Sequence, residues 1–260
     1  MEDREPTIRA RRLDWEDSTV SRLLSGKRGG DPVEVATFMG VCNTPRDERE
    51  RLLGLCEGRS TPGWLQQYGD RLPKQVQTLV THEDKAVSIG HFQMVVVHGL
   101  LQTEDYARAL ISGQADLSVA EVEDRVRARM DRKCLFSKEH RPQFSFLLEE
   151  FVLWRCVGST EIMSEQLHHL LRMSVRPYIS LRVVPAGVGV HAGLAGPFTL
   201  LDFNEVRPVV YLDSETSCLF LETHQEIASY RRVLGKLAVV ALDEPQSREL
   251  IAAAATDRYT

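Results

Sequence analysis

The sequence predicts an α+β protein in two parts: a small helical module, then a larger domain of helices packed on an antiparallel sheet. Three observations carry this. Short helical patterns with no strand candidate run up to EGRSTPGW (Glu57 to Trp64), where Gly, Ser, Thr and Pro cluster as in a linker. Beyond it, strand-like apolar runs alternate with helical patterns. The strand runs after Phe198 are joined by segments too short for helical crossovers, so those strands should pair antiparallel. The boundaries expected are a module over 1–57, a linker over 58–73 and the α+β domain over 74–260.

Taken in order, Ala10 and Leu13 close a first helix and Asp14-Trp15 turn the chain. Ser18 to Arg22 open the next helix, with Val20 and either Leu23 or Leu24 facing inward. Asp31 caps a third before Pro32. In the larger domain a charged helix runs from Val119 to about Ser137, with Val122, Val126 and Met130 at helical spacing and Arg127, Arg129, Arg132 and Lys133 along it. QFSFLL (Gln143 to Leu148) reads as a strand, and Thr160 as the cap of a helix burying Met163, Leu167, Leu170 and Leu171. ISLRVV (Ile179 to Val184), FTLLDF (Phe198 to Phe203), PVVYL (Pro208 to Leu212) and SCLFL (Ser217 to Leu221) follow as strands, punctuated by Gly187, Gly189, Gly193 and Gly196-Pro197. Two helices end the chain, one with Ile227, Tyr230, Leu234, Leu237 and Ala241 on one face, the other starting near Ser247.

Composition limits the function classes. With 43% hydrophobic residues the chain can build a core. No apolar run is long enough to cross a bilayer, and the polar start MEDREPTIRARR lacks a signal peptide's apolar stretch; the expectation is a cytoplasmic protein with no membrane partner. The five cysteines are scattered without CxxC spacing, which suits a reducing compartment. A net charge of −5 speaks against nonspecific nucleic-acid binding by the whole surface but leaves room for a local basic patch.

The segment ARRLDWEDSTVSRLLSGKRG has the order of a helix-turn-helix DNA reader. Short polar side chains at Ser18, Thr19 and Ser21, with Arg22, suit base edges or phosphates, and Lys27 and Arg28 suit phosphates. STVSRLLSGKR resembles the recognition segment of bacterial XRE-type regulators, usually close to STVSRIENGKR. Two departures stand out: Asp14 replaces a frequent glycine, and the helix that normally packs behind these two has no room ahead of Thr7. Without replacement cover, each aliphatic side chain left bare would forfeit roughly 1.5–3 kcal/mol of burial.

HGLLQTEDYARAL (His98 to Leu110), with WLQQY (Trp64 to Tyr68), LLEEFVLWRCVG, MSEQLHHLL and VVYLDS, resembles the C-terminal domain of actinobacterial antitoxin-like XRE regulators, whose signature is close to PGLLQTPEYARAL. The resemblance runs from about Trp64 to Ser247 and implies a dimeric transcription regulator. Its partners would be operator DNA, a second copy of the chain, a small protein encoded nearby and a small-molecule effector. His98 stands where the family has proline, and a ligand pocket is expected near His98, Gln102, Tyr106, Glu149 and Trp154.

Catalytic chemistry is not legible. His91, His98, Glu149, Glu150 and His191 are acid–base candidates by type. Of the adjacent carboxylates Glu149 and Glu150, one should face solvent while the other caps a backbone or meets an arginine. No HExxH, HxxxH or Cys/His cluster offers a metal cage, the glycines lack a dinucleotide context, and there is no P-loop or GxSxG elbow, so no cofactor is expected. Two further readings stand beside the regulator: a regulator-like protein turned to small-molecule binding or enzymology in a biosynthetic pathway, and an adaptor that holds its small partner without touching DNA.

Overall fold

The computed structural model describes residues 13, 15–24, 31–57, 74–114, 117–214 and 217–259. The chain divides into two compact units, Met1–Gly63 and Trp64–Thr260. The first contains α1 (Asp17–Leu24), α2 (Pro32–Val41) and α3 (Arg46–Glu57). In α1 Val20 is fully buried and Leu23 half-buried, three residues apart on one helical face, while Leu24 is exposed. Asp31 caps α2 by accepting from the Glu34 amide at 2.8 Å, and Glu34 accepts from the Asp31 amide in return. Asn43, just past α2, takes φ 51°, a left-handed conformation that asparagine tolerates better than most side chains.

The second unit begins with α4 (Lys74–Lys85) and β1 (Ser88–Gln93). A 3-10 turn (Gly99–Leu101), α5 (Glu104–Gln114) and α6 (Val119–Asp131) follow, and a second 3-10 turn (Arg132–Ser137) extends α6. Then come β2 (Gln143–Glu149), the single turn α7 (Phe151–Trp154), α8 (Thr160–Ser174), β3 (Ile179–Val184), β4 (Phe198–Asp202), β5 (Val209–Asp213), β6 (Cys218–Leu221), α9 (His224–Val240) and α10 (Glu244–Arg258). The α+β class holds, with strands in the order β3-β2-β1-β4-β5-β6. The sheet is mixed, which corrects the expectation of an antiparallel one: β1 pairs parallel with β2 and β2 with β3, while β4, β5 and β6 continue antiparallel from β1. Helices α5 and α6 lie between β1 and β2 in the chain, and α8 between β2 and β3, giving the long crossovers that parallel neighbours require.

Strand alternation sends two sets of side chains to two faces. Ile89, Phe144, Phe146, Leu181, Val183 and Tyr211 join the larger core with Leu79 of α4, Tyr106 of α5, Leu167 and Leu170 of α8 and Ile251 of α10. Phe92, Leu147, Leu200 and Val210 join a smaller core against Ile227 and Leu237 of α9. Gly90 leaves room on that face for Leu234 of α9, whose Cδ2 would lie 2.7 Å from a Cβ built there. The central strand β1 is absent from the sequence reading. Covered on both faces, it shows no polar–apolar alternation, and its glycine and histidine disguise it.

Three local expectations also shift. The α-helix from Val119 ends at Asp131 and tightens to 3-10 geometry thereafter; Ser159, not Thr160, caps α8; and α10 starts at Glu244 with Asp243 as its cap. Ser247 instead serves the sheet edge. The Val183 amide donates to its Oγ at 3.0 Å, and the Leu242 amide donates to the Val183 carbonyl at 2.9 Å, so the outer edge of β3 is blunted. Arg182 donates to the carbonyls of Ala238, Ala241 and Leu242, filling acceptors that the C-terminus of α9 leaves open.

Candidate functional site

The candidate DNA element is α1. Burial of Val20 turns Ser18, Ser21 and Arg22 outward, with Thr19 half-buried. Arg22 folds back along its own helix, donating to the Ser18 carbonyl at 3.1 Å and the Ser18 hydroxyl at 3.2 Å, and Ser18 Oγ donates to Glu16 at 3.3 Å. Ala10, Asp14, Lys27, Arg28 and the stretch Trp64 to Tyr68 lie outside the described residues.

The second site is a cavity of about 640 Å³ in the larger unit, beside the carboxyl end of β1. It opens on the sheet face that carries Thr199, Tyr211 and Asp213, and α6 supplies its other wall with Arg125, Arg129 and Arg132. The spacing i, i+4, i+7 brings three guanidinium groups to one side of the helix and its 3-10 extension. Their surroundings differ. Arg132 meets Glu83 of α4 through two N–H···O contacts, one of 2.6 Å, in a pair whose carboxylate is 1% exposed. Burial opposes the Arg132 charge, but the Glu83 carboxylate outweighs it and holds the guanidinium pKa above its ordinary value. Arg129 donates to the neutral Gln102 Oε1 at 2.9 Å and makes no ion pair among the described residues. Burial, with Arg132 and Arg125 close by, brings its pKa down to about 10.

Gln102 organises this wall. Its Nε2 donates to the Val97 carbonyl at 2.7 Å, its Oε1 receives Arg129, and its backbone carbonyl accepts from Lys133, whose pKa burial lowers. Gln166 of α8 braces the same turn, donating to the Leu101 carbonyl at 2.8 Å and accepting from the Thr103 amide at 2.7 Å.

His98 lines the cavity, and its Nδ1 accepts from the Leu100 amide at 3.3 Å. Its ring lies 3.7 Å, centroid to centroid, from that of His91, which in turn stacks at 5.0 Å on Phe146. His91 shares a 2.9 Å hydrogen bond with Thr199 Oγ1, while its Nε2 is buried with no hydrogen-bond partner among the described residues. Burial lowers both pKa values well below the ordinary histidine value, and Arg132 adds to the effect on each ring. Both rings are therefore neutral near pH 7.

Of the five expected pocket residues, the fold brings only His98 and Gln102 into this cavity. Tyr106 lies behind it, fully buried, where its hydroxyl accepts from the Val97 amide at 3.2 Å; burial pushes its pKa up to about 12. Glu149 shares strand parity with Leu147, so it points to the opposite sheet face from Phe146 and His91. There its Oε1 sits 2.5 Å from His191 Nε2, a contact without hydrogen-bond alignment. Trp154 lies on another surface, edge-on to Phe151 and under Arg258.

The acid–base candidates thus separate. His191 Nδ1 accepts from the Gly193 amide at 3.1 Å, which leaves Nε2 facing Glu149 on the sheet face away from the cavity. Glu150 accepts from the Ala186 amide at 2.8 Å, as a cap; Glu149 is buried, and neither carboxylate meets an arginine among the described residues. Among the described residues no group of three or more His, Cys, Asp or Glu side chains gathers as metal ligands. None of their helices is long and apolar enough to cross a membrane.

Arg125, Arg129, Arg132, Tyr211 and Asp213 are among the cavity residues that the sequence did not mark as site residues. The signal was present in the arginine spacing, but a charged helix ordinarily means a solvated face, and only the tertiary fold turns this one inward. Residues 76–253, which include all but the Gln75 side of the cavity, match the family model of a domain of unknown function, DUF5753. No curated protein and no solved structure matches the chain.

Proposed function

The chain belongs to the DUF5753 family, and we propose that it is a DNA-binding transcriptional regulator whose larger unit receives a small effector. One observation carries the reading: α1 keeps Ser18, Ser21 and Arg22 exposed on a helix anchored by a buried Val20, as a helix entering a major groove must. The XRE-like order of STVSRLLSGKR gives that helix its role as reader. A homodimer, a small partner protein encoded nearby and a cytoplasmic location belong to the same reading, because paired half-sites call for paired readers.

The test is fluorescence anisotropy of the full-length protein on DNA from upstream of its own gene, against scrambled DNA of equal length. Specific binding is expected, and Arg22→Ala should weaken it by about 1–3 kcal/mol, roughly 5- to 150-fold. Equal affinity for both DNAs, or an unchanged Arg22→Ala variant, would overturn the regulator reading.

A further inference from the structure

We propose that the cavity beside β1 is a binding site for a small organic oxyanion, a carboxylate or phosphate carried on an apolar body, with Arg129 as its principal anchor and Arg125 as a second. The role of that anion as an effector rests on the regulator reading; the binding chemistry does not.

Three guanidinium groups face one cavity, and Arg132 alone has an ion-pair partner among the described residues, the buried Glu83. Asp213 is a second carboxylate on the lining, but it lies beyond ion-pair distance of Arg129. Removing a charged group from water is costly unless an opposite charge or a set of hydrogen bonds replaces the solvent. Among the described residues Arg129 has one side-chain acceptor, Gln102 Oε1, for a group that carries five N–H donors. Guanidinium forks suit the two-oxygen face of a carboxylate or phosphate, whereas a cation would meet the two guanidinium groups that no ion pair neutralises among the described residues.

Shape and lining point the same way. The volume falls within the ordinary range of small-molecule pockets, about 300–1,000 Å³. Leu79, Val97 and Ile111 also line the cavity and offer the ligand's body apolar contact. The anchors are braced as a binding site needs: Gln102 holds Arg129 while itself tied to Val97, and Glu83 fixes Arg132 beside it. Both guanidinium groups lie close to the backbone at Gly99, where a Cβ would stand 3.6 Å from Arg132 Nη1 and 3.7 Å from Arg129 Nε, ordinary contact distances. The neutral rings of His98 and His91 add no competing charge.

The test is calorimetric titration of the full-length protein with three probes of similar body: phenylacetate, phenyl phosphate and the neutral phenylacetamide. At least one anion is expected to bind while the amide does not, and the stronger anion identifies the headgroup class. Arg129→Gln should weaken the anion at least tenfold, about 1.4 kcal/mol. Arg125→Gln, at a half-exposed position, should weaken it measurably with an unchanged melting temperature, which guards against a misfolded Arg129→Gln protein. Three outcomes would each overturn the site: no heat with either anion at up to about 10 mM, a range that covers even weak fragment binding; equal binding of the amide; or unchanged anion affinity in both variants. Anion binding that leaves operator affinity unaltered keeps the site and removes the regulator link. Loss of specific DNA binding with anion binding intact does the same.

Discussion

Acidification should destabilise this protein well before its carboxylates titrate, because His91 and His98 are buried as neutral rings. In the unfolded chain each titrates near its ordinary value of about 6.5. In the folded chain burial, with Arg132 adding to it, holds both well below that value, and the His91 ring adds to the effect on His98. The sign follows from linkage: the folded pKa is depressed, so the stabilisation is complete above about pH 6.5 and is lost as pH falls below it, while the unfolded state takes up protons that the fold refuses. Each ring costs about 1.4 kcal/mol per pH unit in that window, so the two together remove about 3 kcal/mol between pH 7.5 and 5.5. For a chain of this size that corresponds to a fall in Tm of about 6–12 °C. The assay is thermal denaturation followed by circular dichroism across that range at constant ionic strength. His91→Gln can keep a bond to Thr199 while removing one titrating ring, so its slope should be about half that of the parent. A flat Tm profile, or a His91→Gln slope equal to the parent's, would refute the reasoning.

Two further outcomes follow from packing. Glu83→Ala strands Arg132 with its charge buried and should cost about 3–5 kcal/mol, whereas Glu83→Leu combined with Arg132→Met should recover most of the loss; urea unfolding of the three proteins checks both. Gly193→Ala would press a methyl group inside van der Waals contact of the fully buried Phe92 ring, and a loss of about 1–3 kcal/mol in the same assay is expected.

How much of this was legible beforehand depended on how locally each feature is encoded. The strands Gln143–Glu149, Ile179–Val184 and the antiparallel run from Phe198 onward announce themselves by apolar runs and turn glycines, and the inward face of α9 by its spacing. Val20 and Asp31 also took their expected roles. The central strand did not announce itself, because a segment buried on both faces loses its alternation and SIGHFQ carries a glycine that exists to admit Leu234. Two of the cavity's lining residues, His98 and Gln102, stood out beforehand because they sit in a recognisable motif. Glu149 was misplaced because adjacent strand residues face opposite ways, and strand parity can be counted only once the register is known. The arginines were overlooked because nothing in their spacing says which side of α6 meets the sheet.

The position of β1 also sets a schedule for the growing chain. His91 finds Thr199 only after 108 further positions have been added, which at about 5–20 residues per second takes about 5–20 s. Throughout that wait the apolar side chains of the central strand, Ile89 and Phe92 among them, are synthesised without one of their two neighbours. The nascent chain therefore passes through a long sticky interval, and a chaperone that shelters it there should raise the yield of folded protein more than any help given after release.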